Sequence, residues 1–256
     1  MISRYEAYID GVAMSSLSPN LLILDISHGT SKISRDTVTL VRRDGSIMVD
    51  KTLSAAQVKI SFQLREYNIA ERQKVCQEVA RWAQGAILET NDRPGQRLHV
   101  QCDSFPVIGS ALKWLDDLSV TFTAYNYAHW EEKTAVSTTL TGTSGTSTLF
   151  VPGNAGKALV EATITPSSGT VNDITLTVGD TSIALVGCGA TSSAPVTISY
   201  DNMGLLKILR GTTSVMDKRT AASSDDLLAV CGSVNTFGLT ASGAVSAAFS
   251  VRGCWL

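Results

Sequence analysis

The chain has 256 residues, a formal net charge of −2 and a pI near 5.9. That length is enough for one large domain or two of ordinary size, with a core that needs neither disulfide nor metal. The near balance of charge excludes the positive field that gathers nucleic acid or anionic membrane, so neither nucleic-acid readout nor membrane insertion is expected. No run approaches the roughly 20 apolar residues of a membrane span, and Met1-Ile2-Ser3-Arg4-Tyr5-Glu6 opens no apolar signal core. Work outside the producing cell therefore implies release inside a particle.

Taken in chain order, Asp10-Gly11 and Asp44-Gly45 carry the positive-φ chemistry of tight hairpin turns between β-prone flanks. The second turn puts Arg42, Arg43 and Asp44 at the tip of a hairpin over residues 41–51. Val58, Ile60, Phe62 and Leu64 alternate with Lys59, Ser61, Gln63 and Arg65, the period of a strand with one buried face. From Asn68 the period changes: Ile69, Val75, Cys76, Val79, Trp82 and Ala83 recur at helical spacing. Asn68 suits the N-cap, Glu71 the reciprocal bond of a capping box, and Gly85 the C-terminal stop.

Pro94-Gly95 opens another hairpin, and alternation returns in Leu98, Val100 and Cys102 and again in Leu118, Val120, Phe122 and Ala124. Charge then drops, from 31 charged residues in the first 133 positions to 13 in the remaining 123. The drop coincides with a Thr/Ser/Gly-rich stretch at 134–148 that reads as a linker or an exposed first strand. Two domains are expected, 1–133 and 134–256. The second shows strands only: Val160, Ala162 and Ile164; Ile174, Leu176 and Val178; Val196, Ile198 and Tyr200; Val245, Ala247, Phe249 and Val251. Their composition and the turn clusters between them predict a β-sandwich.

Candidate chemistry is sparse. His28, His99 and His129 form no ligand pair in sequence, and His99, on the polar phase of a strand, reads as a solvated histidine. Ser110-Ala111-Leu112-Lys113 matches S-x-x-K without its companion motifs. Asp116-Asp117 and Asp225-Asp226 are neighbours that a strand would point to opposite faces, and they read as turn residues. Gly153-Asn154-Ala155-Gly156 follows Pro152 as a turn, without the Lys-Ser/Thr of a phosphate loop. Cys76, Cys102, Cys188, Cys231 and Cys254 are odd in number and scattered, which reads as small buried hydrophobes of a protein made in a reducing cytoplasm. No catalytic residue, metal or cofactor is expected. Tyr200 and Trp255 are the only Tyr and Trp of the second half, and would anchor any peripheral sugar platform there.

The order of these features resembles the distal tail proteins of long-tailed bacteriophages: an early strand and D-G turn, a hairpin into the strand around Phe62, one helix from Asn68, the Asp92-Arg93-Pro94-Gly95 hairpin and the strand from Leu118. The run Val120-Thr121-Phe122-Thr123-Ala124-Tyr125-Asn126-Tyr127-Ala128-His129-Trp130 resembles the family's strand and aromatic run, with Asn126-Tyr127 standing where Asp-Pro is common. Phe249 to Leu256 looks like the closing strand of its second domain.

The resemblance implies a mainly β fold with one α-helix, in which a tail-tube-like antiparallel β-sandwich or barrel precedes a galectin-like β-sandwich. It implies a non-enzymatic virion component assembled in the host cytoplasm: a hexameric ring at the distal end of the tail. Its implied partners are its own copies, the tail-tube protein, a tail-tip or tail-associated protein and peripheral receptor-binding proteins, with DNA passing unread through the channel. Arg42, Arg43 and Asp44 would then be an inter-subunit or tube-facing element. The competing reading is a carbohydrate-binding adhesin module that contacts the host surface.

Overall fold

The computed structural model describes residues 4–29, 33–39, 46–53, 55–66, 68–106, 117–124, 129–202 and 204–256. The chain divides into two compact units, Met1–Trp130 with Leu256, and Glu131–Trp255. Both are mainly β, and Ile69–Trp82 is the one α-helix among the described residues.

In the first unit Leu21–His28, Ala56–Leu64, Asp117–Ala124 and Gln101–Ser104 form an antiparallel sheet in that spatial order. Val58, Ile60, Phe62 and Leu64 all face inward and are at most 1% exposed, so the alternation read from sequence is the alternation of burial. Phe62 pairs with Leu118 and Val58 with Phe122, which brings two buried faces into one apolar layer. A second antiparallel ladder has the order Val12–Ala13, Ala7–Ile9, Ile87–Thr90, Gln96–His99. Its first turn is the Asp10-Gly11 turn, with Ile9 opposite Val12 and φ of 49° and 81° at the two loop residues. Positive φ at both positions is what a tight hairpin of this hand requires.

The single run expected over Leu98, Val100 and Cys102 is instead two strands, Gln96–His99 in one sheet and Gln101–Ser104 in the other. Val100 makes the crossing, its N–H bonded to Ala86 O at 2.9 Å. Alternation survives a change of sheet because Leu98 and Val100 stay buried on either side of it.

The helix N-cap is Asn68, whose side chain accepts from Ala70 N at 2.9 Å. The reciprocal bond comes from Glu66, not Glu71: Asn68 N–H donates to Glu66 Oε1 at 3.0 Å. An acceptor two residues before the cap thus does the work expected of one three residues after it. The buried face carries Arg72, Cys76, Val79 and Trp82. Trp82 donates its indole N–H to Val12 O at 2.8 Å and meets Phe122 edge-on with centroids 6.1 Å apart. Gly85 is not a left-handed stop, since the helix ends at Ala83 in αR geometry. Glycine is needed at 85 for space: a Cβ there would collide with Ile9 Cγ2 and Asp10 Oδ2. Asp10 instead accepts from Ala86 N and Ile87 N at 3.2 and 3.1 Å.

The second unit is organised by one long ribbon. Val136–Val151, the Thr/Ser/Gly-rich stretch, is a 16-residue strand pairing antiparallel with the 19-residue Ser233–Val251. The ribbon bends where its register shifts, between Gly142 and Ser144, with Gly142 at φ 116°. After the bend Ser147 Oγ comes within 2.9 Å of Thr138 Oγ1 although both lie on the same strand. Each half of Ser233–Val251 then gathers its own partner: Ile174–Val178 pairs beside Phe237 and Leu239, and Lys157–Pro166 beside Ala247 and Phe249. Val196–Tyr200 and Leu206–Arg210 extend the second group. Phe237 and Phe249, both fully buried, meet edge to face across the fold, centroids 5.2 Å apart and planes at 65°. The result is a β-sandwich whose two layers share their longest strands.

Candidate functional site

Ile33–Thr39 and Ser46–Leu53 pair antiparallel from Ile33 opposite Leu53 to Thr39 opposite Ser46. They flank residues 40–45, so Arg42, Arg43 and Asp44, with the turn expected at Asp44-Gly45, lie outside the described residues. The same holds for Ser110 to Lys113, Asp116 and Asn126-Tyr127.

Tyr200 and Trp255 are both described, and each spends its polar end on its own chain. Leu227 N donates to the Tyr200 hydroxyl at 2.9 Å, and that hydroxyl lies 3.4 Å from Leu227 O as donor. Burial pushes the Tyr200 phenol well up from its usual range, with Asp226 and Glu161 adding to the rise against the Leu227 bond. The Trp255 indole N–H donates to Glu132 Oε1 at 3.3 Å. The tyrosine ties the segment before Leu228–Val230 to Val196–Tyr200, and the tryptophan ties the chain end to Glu132.

The first unit holds a cluster that no motif announced. His28 Nε2 lies 2.6 Å from Asp92 Oδ2. The His28 ring meets Trp130 edge-on at 5.3 Å, and the Arg93 guanidinium sits 5.0 Å from the centroid of the same indole. Trp130 is 4% exposed, so the cation rests on a largely desolvated ring. Partial burial pushes the Asp92 carboxyl up, but the nearby Thr90 hydroxyl and the hydrogen bond and charge of His28 outweigh it and hold Asp92 below its ordinary value. Tertiary pairing alone joins residues 28, 92, 93 and 130. The cluster fastens the Pro94-Gly95 hairpin to the aromatic that ends the run from Val120. His99 is half-buried rather than solvated, because it sits in a paired ladder opposite Ile87.

Among the described residues no group of three or more His, Cys, Asp or Glu is placed to hold a metal ion. Asp225 and Asp226 occupy the bend before Leu228–Val230, where Asp225 pairs with Arg219 at 3.0 Å. Asn154 N and Ala155 N, the amides a phosphate loop would offer, both donate to Cys254 O at 3.0 Å. That contact belongs to the second feature missed in sequence. Cys231 and Cys254 come together through Gly232 and Gly153, each thiol bearing on the other's ionisation, correcting the picture of five isolated hydrophobes. Spacing hid the pair, because the turn holding Cys231 and the chain end holding Cys254 meet only through the sandwich.

A helix-bearing β unit followed by a sandwich built on a bent ribbon is an arrangement shared with solved structures of phage tail components. The chain matches the crystal structure of the Dit protein of phage SPP1, described as a paradigm of the hub adsorption apparatus of phages infecting Gram-positive bacteria. The TM-score is 0.68 at 13% identity, over 97% of this chain and 98% of that one. It also matches chains from the baseplate of phage P2 in its activated conformation, with Ca at TM-score 0.54 and 9% identity, over 99% of this chain and 98% of that one. For the baseplate with Sr the values are 0.53 and 9%, over 98% of each chain. No family profile and no curated protein sequence matches the chain. At these identities the likeness is one of fold, and it spans both units from end to end.

Proposed function

We propose that this chain is a structural hub of a phage tail, forming a hexameric ring at the distal end of the tail tube. The observation that carries the reading is the extent of the fold match: nearly the whole of this chain aligns with nearly the whole of the SPP1 hub protein. A fold alone does not specify function. What supports the reading beyond the fold is that the polar groups a binding site would use, at Tyr200, Trp255 and residues 154–155, are engaged within the chain. The role proposed is therefore scaffolding, not catalysis, and it is preferred to sugar binding at Tyr200 and Trp255.

In this reading residues 1–133 form the ring by heterologous contacts that close under rotation. Tail-tube protein stacks on one face and a tail-tip protein on the other, and DNA passes through the channel without being read. Residues 134–256 form the peripheral platform for receptor-binding proteins. Arg42, Arg43 and Asp44 are assigned to an inter-subunit or tube-facing contact. Assembly takes place in the host cytoplasm and the product resides in the virion.

Light scattering on the purified chain, alone and with tube protein, tests the ring. A particle of six times 27.2 kDa is expected, and a strict monomer under both conditions overturns the proposal. Charge reversal at Arg42 and Arg43 should weaken assembly, and unchanged assembly would remove that hairpin from the contact.

A further inference from the structure

Cys231 and Cys254 approach each other through two glycines, Gly232 and Gly153. Gly232 N donates to Val151 O at 2.8 Å, and a Cβ on Gly232 would lie 2.9 Å from Gly153 O. On its other side Gly153 bridges Cys254 in parallel register, so closely that a Cβ on Gly153 would strike the Cys254 backbone. Asn154 N and Ala155 N clamp Cys254 O at 3.0 Å each. The turn bearing Cys231 is fixed as well: buried Asn235 accepts from Val230 N at 2.7 Å and donates to Val230 O at 2.9 Å. Two backbone segments fixed by these bonds thus bring Cys231 and Cys254 close together. Cys254 is 1% exposed whereas Cys231 is partly open to solvent.

We propose that Cys231 and Cys254 are a built dithiol site that a low-molecular-weight disulfide converts to an intramolecular disulfide. Cys231 is the attacking thiol, being the one a small reagent reaches. The nearby Cys254 thiol, against the opposing effect of burial and with the Cys254 backbone assisting, draws the Cys231 thiol down to about 7, while the Cys254 Sγ itself lies 3.5 Å from Arg252 O. The thiol–thiol contact and burial push Cys254 up, so it keeps its proton until its turn comes. A nucleophile with a pKa near ambient pH is the efficient attacker in thiol–disulfide exchange.

The Cys231 thiolate attacks one sulfur of RSSR, forming a mixed disulfide and expelling RS⁻, which takes up the proton that Cys231 released. The Cys254 thiol then loses its proton to solvent and attacks the Cys231 sulfur, expelling the second RS⁻, which that proton neutralises. Two protein thiols are oxidised and one RSSR is reduced to two RSH. The link ties the chain end to the turn at the head of the longest strand. It is open in a reducing cytoplasm and closes in an oxidising medium, whatever assembly the chain joins.

The test is oxidation of the full-length protein with oxidised glutathione, alkylation of remaining thiols, and peptide mapping by mass spectrometry. A cross-linked peptide containing Cys231 and Cys254, lighter by two hydrogens than its reduced parts, is expected. The melting temperature should rise by roughly 5–10 °C on oxidation, and the rise should vanish in Cys231→Ser. A Cys231–glutathione adduct that never resolves, or full alkylation of both cysteines after oxidation, overturns the proposal. Should the serine variant fail to fold, mapping of the natural chain decides alone.

Discussion

Phe249→Ala is the most informative perturbation of the second unit. The ring is fully buried, stands opposite Ala162 on one neighbouring strand and Thr138 on the other, and meets Phe237 at 5.2 Å. Both partner positions on the flanking strands carry small side chains, so little can move in to fill the void. The transfer loss and the cavity together cost about 3–5 kcal/mol. The edge-to-face contact contributes about 0.5–1.5 kcal/mol of that. For a unit spanning Glu131–Trp255, such a loss lowers the melting temperature by roughly 10–20 °C. Differential scanning calorimetry with urea titration measures it. A double-mutant cycle with Phe237→Leu and Phe249→Leu isolates the contact, with a coupling of about 0.5–1.5 kcal/mol expected. A loss under about 1 kcal/mol for Phe249→Ala would refute the claim that the bent ribbon closes a packed sandwich on these two rings.

Other outcomes follow from the same physics. Asn68→Ala removes the helix cap and should cost about 1 kcal/mol in urea unfolding, while Glu66→Gln, which keeps an acceptor, should cost much less. Gly85→Ala should destabilise far beyond the few tenths of a kcal/mol of an ordinary surface change, because its methyl meets Ile9 and Asp10 and dislodges the Asp10 carboxylate from Ala86 N and Ile87 N; a neutral result would mean the turn is free to shift. Asp92, held below its ordinary value when folded, contributes stability that is present above the unfolded carboxyl pKa and lost as pH falls through the lower folded value. Below about pH 4 the natural chain should therefore lose stability more steeply than Asp92→Asn, as followed by melting temperature against pH. Asn235→Ala should cost about 1–3 kcal/mol by stranding the Val230 N–H, and a smaller loss would show that water replaces the amide.

The sequence by itself settled what period and turn chemistry can settle. Burial alternates in Ala56–Leu64 because a strand has two faces, and the Asp10-Gly11 turn forms because two positive-φ residues there close a hairpin. Asn68 caps its helix because its side chain reaches the first-turn N–H of Ala70. These are local events, decided within a few residues, and so are readable one segment at a time. The polar half of Ser233–Val251 and the exposed Val136–Val151 were less legible. Their Ser and Gly residues dilute the strand signal of the threonines, and pairing with each other, not apolar alternation, makes them strands.

Tertiary structure decided everything that joins distant positions. It moved the chain from one sheet to the other at Val100 and turned Gly85 from a helix stop into a point of close approach. It gathered His28, Asp92, Arg93 and Trp130, and it set Cys231 against Cys254. No sequence window contains both members of such a pair. Their meeting depends on strand order and register, which are set by the burial of whole sheets and not by any one residue.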